Sequence, residues 1–385
     1  MTTNKGPQIR FKGFSGEWEE KVLIDIANFI NEKILLNELT LSNYISTENL
    51  LQNFRGVLIS SKLPNSKTVT QFKTNDILIS NIRPYLKKVW SATFNGGASN
   101  DILVVRAKED IKNNFLTYFL KNEKFINYMM EGTKGVKMPR GDISLIKIYP
   151  LFISLNSNEQ TKIGNYFQNL DKLIEQKEKK HKKLEQLKKA MLEKMFPKDG
   201  EDTPEIRFKG FSGEWEENNL GNIAIITIGE FMIKTKQNPN SLYPVYNGGK
   251  SNTGFYNEFN NEGNKIIISA RGANAGYVNF EMRRYWAGNS CYSISMLDDN
   301  LFMIKYFYYW VKKNERRFKD NQQSANIPSV SKDDVIKFKV SYPKIDEQTK
   351  IGNYFQKLDK LIDLQLQELE KLKNIKKASL DKMFV

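Results

Sequence analysis

The sequence has few of the residues that build catalytic or metal sites. Its 385 residues include one cysteine, Cys291, and one histidine, His181. A single cysteine excludes an internal disulfide and fits a reducing compartment, and the two counts exclude a metal site made of histidine and cysteine. His181 aligns with Leu369 in a repeat described below, so we predict that it lies on the packed face of a long helix. Catalysis through a Ser-His-Asp or Cys-His arrangement therefore has no support.

Long hydrophobic runs are also missing. No apolar run approaches the roughly 18 residues of a membrane span, and residues 1–7 have no stretch of the signal-peptide type. Together with the cysteine count, this predicts a cytoplasmic protein without a membrane partner. The chain is nevertheless rich in core-forming residues, with 24 Phe and 17 Tyr, and its length allows two or more folded domains.

Acidic residues are in deficit, with 44 Asp and Glu against 59 Lys and Arg and a formal charge of +15. Such a balance favours an anionic partner, with nucleic acid first and a membrane surface second. A lysine-rich proteome is the alternative explanation of the charge.

What the chain does contain is two duplicated stretches, the second of which is interrupted by one differing residue at position 169. Residues 9–20 recur letter for letter as 206–217, residues 159–168 as 347–356, and residues 170–174 as 358–362. The sequence between them is not repeated at similar identity. We therefore predict a repeated frame that carries two different modules: module 1 (residues 1–157), a long helix with its linker (158–200), module 2 (201–345) and a second long helix (346–385).

The segments 158–196 and 346–385 both have the sequence pattern of long helices. Neither has an internal proline, Asn158 and Asp346 are the predicted N-caps, and about 38 residues make a rod of roughly 55 Å. Apolar residues recur at spacings of three and four, as in a helix-packing stripe. The residues predicted to form the helix-pair or partner interface are Leu170, Leu173, Leu184, Leu187, Met191, Leu358, Leu361, Leu369 and Leu372. The simplest arrangement is an antiparallel coiled coil with a pseudo-twofold axis; the alternatives are that each rod packs on its own module or pairs between molecules.

The modules are predicted to be α/β, with mixed strands and helices. Residues 76–80 and 265–269 are short β-rich runs in matching positions. Amphipathic helices are predicted around residues 118–125 and 306–318. A final strand is predicted over residues 143–150 and 335–343.

Catalytic motifs are not supported. Residues 248–251 resemble the end of a phosphate-binding loop, but Pro244 stands where that loop needs a glycine. Residues 81–85 resemble the Asn-Pro-Pro-Tyr motif of adenine methyltransferases only faintly, with an extra residue and an arginine in place of a proline.

The remaining candidates for function are clusters of Lys, Arg, Asn and Gln in polar loops, which could bind a ligand. Lys and Arg bind phosphates and guanine edges, and Asn and Gln can read adenine edges in the major groove. Each residue alone could also be an ordinary solvated side chain, so the clusters support the prediction better than their members do. The candidate DNA-binding residues are Arg83, Lys87, Lys88, Lys134, Lys137 and Arg140 in module 1, and Lys250, Arg271, Asn274, Arg283, Arg284, Gln322, Gln323 and Asn326 in module 2.

Four features of the sequence together form a recognisable pattern. They are the module start Gly-Glu-Trp-Glu-Glu, Leu-Gly-Asn-Ile at 220–223, the paired module exits with Glu-Gln-Thr-Lys-Ile and Leu-Asp-Lys-Leu-Ile, and residues 243–250. With these features the chain resembles, over essentially its whole length, the DNA-specificity subunit of type I restriction-modification systems. Module 1 departs from the usual start at residues 22–26, which leaves its strand register open.

The resemblance implies two target-recognition domains separated by two antiparallel helices, each domain reading one half of a split, asymmetric DNA site. It implies that the helices set the gap and dock two methyltransferase subunits and two restriction subunits. S-adenosylmethionine, ATP and Mg would belong to those partners, so this chain would hold no cofactor, no metal and no active site. Two alternatives remain: a stand-alone DNA-binding regulator with a coiled-coil dimer interface, and a cryptic nuclease or methyltransferase.

Overall fold

The computed structural model describes residues 6–320 and 328–384, and the chain divides into two compact units. Unit 1 comprises residues 1–178 and 367–385, and unit 2 comprises residues 179–366. Each unit therefore combines one module with a portion of both long helices.

Module 1 contains strands β1 (Glu19–Val22), β2 (Ala27–Ile30), β3 (Lys33–Leu35), β4 (Tyr44–Ile45), β5 (Thr68–Phe72), β6 (Ile77–Ser80), β7 (Val89–Ser91), β8 (Gly96–Ala98), β9 (Ile102–Ala107) and β10 (Pro150–Ile153). Its helices are α1 (Leu23–Ile26), α2 (Asn113–Leu120), α3 (Glu123–Glu131) and α4 (Ile143–Lys147), and the long helix α5 (Ser157–Lys194) follows.

Module 2 contains strands β11 (Glu216–Asn219), β12 (Ala224–Ile228), β13 (Tyr243–Tyr246), β14 (Gly254–Tyr256), β15 (Lys265–Ser269), β16 (Val278–Glu281), β17 (Trp286–Ala287), β18 (Cys291–Met296) and β19 (Lys339–Tyr342). Its helices are α6 (Leu220–Ile223), α7 (Ile304–Lys313), α8 (Arg317–Asp320) and α9 (Lys332–Ile336), and the long helix α10 (Ile345–Met383) follows.

The two modules share the topology of the central sheet and of a terminal ribbon, whereas their smaller sheets differ, with order β3-β5-β8-β4 in module 1 and β14-β13-β17 in module 2. Their central sheets have the orders β2-β9-β6-β7 and β12-β18-β15-β16, and a ribbon pairs the first strand of each module with the last, β1 with β10 and β11 with β19. A smaller sheet in each contains one parallel pair, β4 with β8 and β13 with β17. Helices α1 and α6 occupy equivalent positions. The departure of residues 22–26 from the usual module start therefore does not change this part of the fold.

The central strands carry runs of consecutive apolar residues because both of their faces are covered. Ile77 and Ile79 of β6 lie in the core that includes α2 and α3, whereas Leu78 lies in a second core beneath the smaller sheet. In β15, Ile266 and Ile267 divide between two cores in the same way. The strands predicted at residues 76–80 and 265–269 are thus present. The two predicted helices are each interrupted: residues 118–125 divide between α2 and α3, because Asn122 caps α3, and residues 306–318 divide between α7 and α8.

The prediction of a final strand over residues 143–150 is wrong in module 1. Residues 143–147 form helix α4, because the Asp142 carboxylate accepts hydrogen bonds from the amides of Ser144 and Leu145 and caps the helix. In module 2, Ser331 and Asp334 form a capping box at α9. The final strand therefore begins only at Pro150 in module 1 and at Lys339 in module 2.

The long helices exist as predicted, but their caps differ. Helix α5 begins at Ser157, and the side chain of Asn156, not that of Asn158, accepts from the amides of residues 158 and 159. Asp346 lies inside the first turn of α10.

The two long helices lie antiparallel. Within unit 1, the early part of α5 contacts the late part of α10: the hydroxyls of Tyr166 and Ser379 are 3.1 Å apart, and Lys376 Nζ is 2.5 Å from Asp171 Oδ1. Within unit 2 the order reverses, with late Lys188 Nζ 2.5 Å from early Asp359 Oδ1. This confirms the predicted intramolecular antiparallel pair.

The duplicated stretches contact each other, which explains why they are duplicated together. In unit 1, Arg10 forms a bidentate ion pair with buried Glu159 at 2.6 and 2.8 Å and donates to the Gly16 carbonyl. In unit 2, Arg207 pairs with buried Glu347 in the same way at 2.7 Å. Each module start is thus clamped to the start of the helix that leaves the same module.

Aromatic contacts reinforce this clamp. Phe11 packs edge-on against Tyr166 with ring centroids 5.6 Å apart, and Phe208 packs against Tyr354 at 6.0 Å. The helix also approaches module 1 closely at Gly164, where a Cβ atom would lie 2.8 Å from the backbone nitrogen of Phe115.

The far end of each long helix closes the other core. Phe196, after α5, lies in the core of unit 2 against Trp215, Tyr306 and Phe355, at centroid distances of 6.4, 5.4 and 5.7 Å. Phe384, after α10, is its counterpart in the core of unit 1. Each long helix therefore belongs to two cores, one at each end.

Candidate nucleic-acid interface

The strands β6 and β15 lead into the same tight turn, which we call the left-handed turn (residues 82–88 in module 1, 271–277 in module 2). Arg83 and Lys87 have φ angles of 51° and 54° in module 1, and Gly272 and Gly276 have 88° and 83° in module 2. Positive φ values are strained for residues that carry a Cβ atom and unstrained for glycine. Module 1 thus forms with two basic residues a turn that module 2 forms with glycines.

Two hydrogen bonds of the turn occupy matching positions in the two modules. The amide of Ser80 donates to the carbonyl of Lys88 and that of Ser269 to Tyr277, both at 3.0 Å. The amide of Leu86 donates to Arg83 and that of Ala275 to Gly272, both at 2.9 Å. The left-handed turns are therefore equivalent without a gap.

A second segment lies beside each left-handed turn: a loop in module 1, which we call the partner loop, and Pro328 in module 2. In module 1 it comprises residues 133–141, and the amide of Arg83 donates to the carbonyl of Pro139 at 2.7 Å. In module 2 the amide of Gly272 donates to the carbonyl of Pro328 at 2.9 Å. The two basic clusters predicted for module 1 are thus brought together.

The candidates on these two loops in module 1 face solvent to different degrees. Lys134, Lys137 and Arg140 are exposed and Arg83 is half-buried. Lys134 lies 2.9 Å from Asp142, and Arg140 lies 3.0 Å from Asp101. These ion pairs are exposed, so phosphates can compete for both cations at little cost.

Arg83 has a further property of interest. Its Nε is buried and has no hydrogen-bond partner among the described residues. An unpaired donor of this kind is costly in the free protein. Because this atom is buried, it is not itself open to a partner outside the chain, and only the part of the half-buried side chain that reaches solvent can meet one.

Lys87 and Lys88 have partners inside module 1. Lys87 forms an ion pair with Glu123 at the start of α3. Lys88 donates to the carbonyl of Thr47 at 2.5 Å, and burial lowers its pKa. Both lysines hold the turn in place, which makes them weaker DNA candidates than Arg83.

In module 2 the candidates divide between two ends of the sheet. Arg271 and Asn274 lie on the left-handed turn, and Lys250 lies beside it, since the hydroxyl of Ser269 donates to the carbonyl of Gly249 at 3.0 Å. Arg283 and Arg284 follow the opposite end of β16, about 13 Å along the strand.

Arg283 and Arg284 also have partners of their own. Arg283 lies 3.0 Å from Glu281 and Arg284 lies 2.8 Å from Glu262. The buried Glu281 carboxylate needs this cation, which gives Arg283 a structural role. The remaining candidates, Gln322, Gln323 and Asn326, lie outside the described residues.

The family of type I restriction modification DNA specificity domains matches this chain twice, over residues 15–186 and 212–374. The chain belongs to this family. Each match begins in a duplicated module start and ends within a long helix, so the family repeat is one module with its helix. The DNA-specificity role of a type I restriction-modification system is non-catalytic, and this specificity subunit has that role rather than an enzymatic one.

Individual relatives agree. The chain is 24% identical over 290 residues, 75% of each protein, to a protein named as a type I specificity subunit in Mycoplasma genitalium. It is 26% identical over 302 residues, 72% of this chain and 68% of the other, to one named as a type I restriction enzyme specificity subunit in Methanocaldococcus jannaschii.

A solved structure shares the fold. The crystal structure of a type I restriction-modification S subunit from M. genitalium covers 99% of both chains with a TM-score of 0.72 at 20% identity.

At the level of the family, the partners of this specificity subunit are DNA and the other subunits of the restriction-modification complex. None of the helices in residues 6–320 and 328–384 combines the length and hydropathy that a bilayer crossing requires.

The residues predicted for the helix interface fall into two groups. Leu358 and Leu369 are buried, Leu184 and Leu372 are half-buried, and Leu170 and Met191 pack against the cores of units 1 and 2. Leu173, Leu187 and Leu361 remain 38%, 41% and 50% exposed in this specificity subunit. The first group is buried, half-buried or packed against a core, and the second lies on the surface.

Sequence reasoning missed three exposed apolar side chains in module 1. Tyr85 projects from the left-handed turn, and Val136 and Met138 lie on its partner loop. A sequence signal was present, since each lies within three residues of a lysine or arginine in one of the two predicted basic clusters.

Proposed function

We propose that this specificity subunit reads a bipartite, asymmetric DNA site, with residues 1–157 and 201–345 as the two target-recognition domains. The observation that supports this most is the left-handed turn, which has positive φ angles and two hydrogen bonds at matching positions in both modules but different side chains. Equal frames with different side chains are suited to two unlike half-sites. Phosphate contacts from the surrounding cations would add a salt-dependent, sequence-independent affinity.

The exposed face of the long helices would dock the other subunits. Among the duplicated residues, some are identical in both copies and exposed, although packing within the chain does not require them: Asn165, Lys172, Leu173, Asn353, Lys360 and Leu361. Two copies of one surface suit two copies of one partner, so we assign this surface to two methyltransferase subunits. Two restriction subunits would join the same assembly.

The decisive experiment is co-expression with the cognate methyltransferase subunit, followed by methylation sequencing of the host DNA. A bipartite adenine-methylation motif is expected. A continuous palindrome would favour the alternative, a stand-alone regulator with a dimeric coiled coil, and no motif with a competent partner would refute the proposal.

Replacing residues 20–157 by those of another specificity subunit should change one half-site only. Inserting one heptad into both long helices should lengthen the gap or abolish activity. If both half-sites changed in the first experiment, or the gap stayed the same in the second, the division into modules and spacer would be wrong.

The docking surface is tested by Leu173→Glu combined with Leu361→Glu. These changes should abolish co-purification with the methyltransferase subunit, because a charge buried at an interface without a partner is costly. Leu366→Glu is the matched control: Leu366 is 41% exposed, but its duplicate position holds Glu178. Equal loss in both variants would argue against this surface.

A further inference from the structure

The residue at the apex of the left-handed turn differs in chemistry between the modules. Because the turns are equivalent without a gap, Tyr85 in module 1 corresponds to Asn274 in module 2. Tyr85 is 48% exposed, and Asn274 is half-buried. One apex thus presents an aromatic ring and the other a carboxamide.

The turn in module 1 is held rigidly. The amide of Asn53 donates to the carbonyl of Leu86 at 3.0 Å, and that of Phe54 donates to Lys87 at 2.9 Å. The Lys87 ammonium is in turn paired with Glu123 on α3. Tyr85 therefore projects from a fixed backbone, as a side chain that selects a ligand by shape should.

The surroundings of Tyr85 combine apolar and cationic groups. On the partner loop, Val136 is fully exposed and Met138 is 51% exposed. Lys134, Lys137 and Arg140 on the same loop are exposed as well. These three exposed apolar side chains lie on two loops joined by a backbone hydrogen bond, and we call them the apolar patch. Cations around an apolar centre suit the DNA major groove, where phosphates flank the methyl groups of thymine.

The surroundings of Asn274 are polar. Arg271 lies three residues before it, and Lys250 lies in the adjacent loop. A carboxamide both donates and accepts, which matches the N6 and N7 atoms of adenine in the major groove.

We propose that the apex residue of the left-handed turn reads a base in each module, with Tyr85 against the methyl group of a thymine and Asn274 against the major-groove edge of an adenine. This inference rests on the proposed function and specifies it.

The test uses the full chain assembled with its methyltransferase subunit and duplexes carrying the motif found by methylation sequencing. Thymines in the half-site of module 1 are replaced one at a time by deoxyuridine, which lacks only the methyl group. One such replacement should weaken binding by about fourfold, the value of one buried methyl group. Tyr85→Ala should remove this difference, and Tyr85→Phe should keep it.

In the other half-site, adenines are replaced by 7-deazaadenine, which lacks the N7 acceptor. One replacement should weaken binding by roughly 5- to 150-fold in the unchanged protein, the range for a bidentate contact. The Asn274→Ala variant should not discriminate between the two bases. Leu155→Ala, a change of an exposed apolar residue outside both loops, is the control and should behave like the unchanged protein.

Wild-type discrimination in both apex variants, or a half-site of module 1 without any A·T pair, would overturn the inference while leaving a bipartite motif in place. Loss of the motif altogether would instead refute the proposed function. Tyr85-dependent binding of the chain to anionic phosphatidylserine vesicles, with an unchanged motif, would assign the apolar patch to a membrane and also overturn the inference.

Discussion

Phe384, the residue that follows α10, leads to a quantitative prediction about the stability of unit 1. Phe384 is 2% exposed and packs against Phe115, Phe119 and Phe167, with ring centroids 5.4, 5.3 and 5.7 Å away. Replacing a buried phenylalanine by alanine costs about 3–5 kcal/mol, because apolar area returns to water and a cavity remains. We expect Phe384→Ala to lower the free energy of unfolding of unit 1 by that amount.

Hydrogen exchange followed by mass spectrometry can locate the effect. Core amides of α2, which exchange through unfolding of unit 1, should exchange roughly 150- to 5000-fold faster, as expected from that free energy. Amides of α7 in unit 2 should change far less. The Phe196→Ala variant is the matched control and should give the reverse pattern, and Phe384→Leu should have a smaller effect than Phe384→Ala.

The reasoning would be refuted by either of two results. Exchange in α2 could rise less than about fivefold, which would mean that Phe384 does not contribute a core contact of the expected size. Alternatively, α7 could respond to Phe384→Ala as strongly as α2 does, which would mean that the two cores do not unfold as separate units.

Further predictions concern single side chains. Arg10→Met should cost about 3–5 kcal/mol in denaturant unfolding, since it leaves the buried Glu159 carboxylate unpaired; adding Glu159→Met should recover most of the loss, and no recovery would argue against the ion pair. Burial raises the pKa of Cys291 to about 11, so the native thiol should resist iodoacetamide at pH 8. Its reaction should become faster as the pH rises towards that value, and also on unfolding. Rapid labelling of the native protein at pH 8 would contradict this. Asn156→Ala should cost about 1 kcal/mol of stability by removing a helix cap, whereas Asn158→Ala should be nearly neutral; the opposite order in the same unfolding measurement would restore Asn158 as the cap.

Periodicity and duplication predicted the features that depend on local pattern. Strands β6 and β15 were predictable because their apolar runs are short and bounded, and the long helices because their apolar residues recur every three or four positions. Helix α4 was missed because five residues are too few to distinguish a helix from a strand by period, and the cap at Asp142 was not recognised.

Other features depend on contacts between distant residues and could not be predicted in this way. Nothing near Phe384 in the sequence indicates that it completes the core of module 1. The left-handed turn of module 1 gave no glycine signal, because Arg83 and Lys87 occupy the positions that glycines fill in module 2. Lys87 and Lys88 illustrate a second limit of sequence analysis. Their charge predicted DNA contacts, but the sequence did not reveal that both have partners within the module.

The division of the chain into units has a consequence for its synthesis. Unit 2 comprises residues 179–366 without interruption, whereas unit 1 needs residues 367–384 to fill its core. Domains usually fold during synthesis in the order in which they are made. Here the order is inverted: the unit whose module leaves the ribosome first is the one that must wait, with its core open, until the end of α10 has been translated.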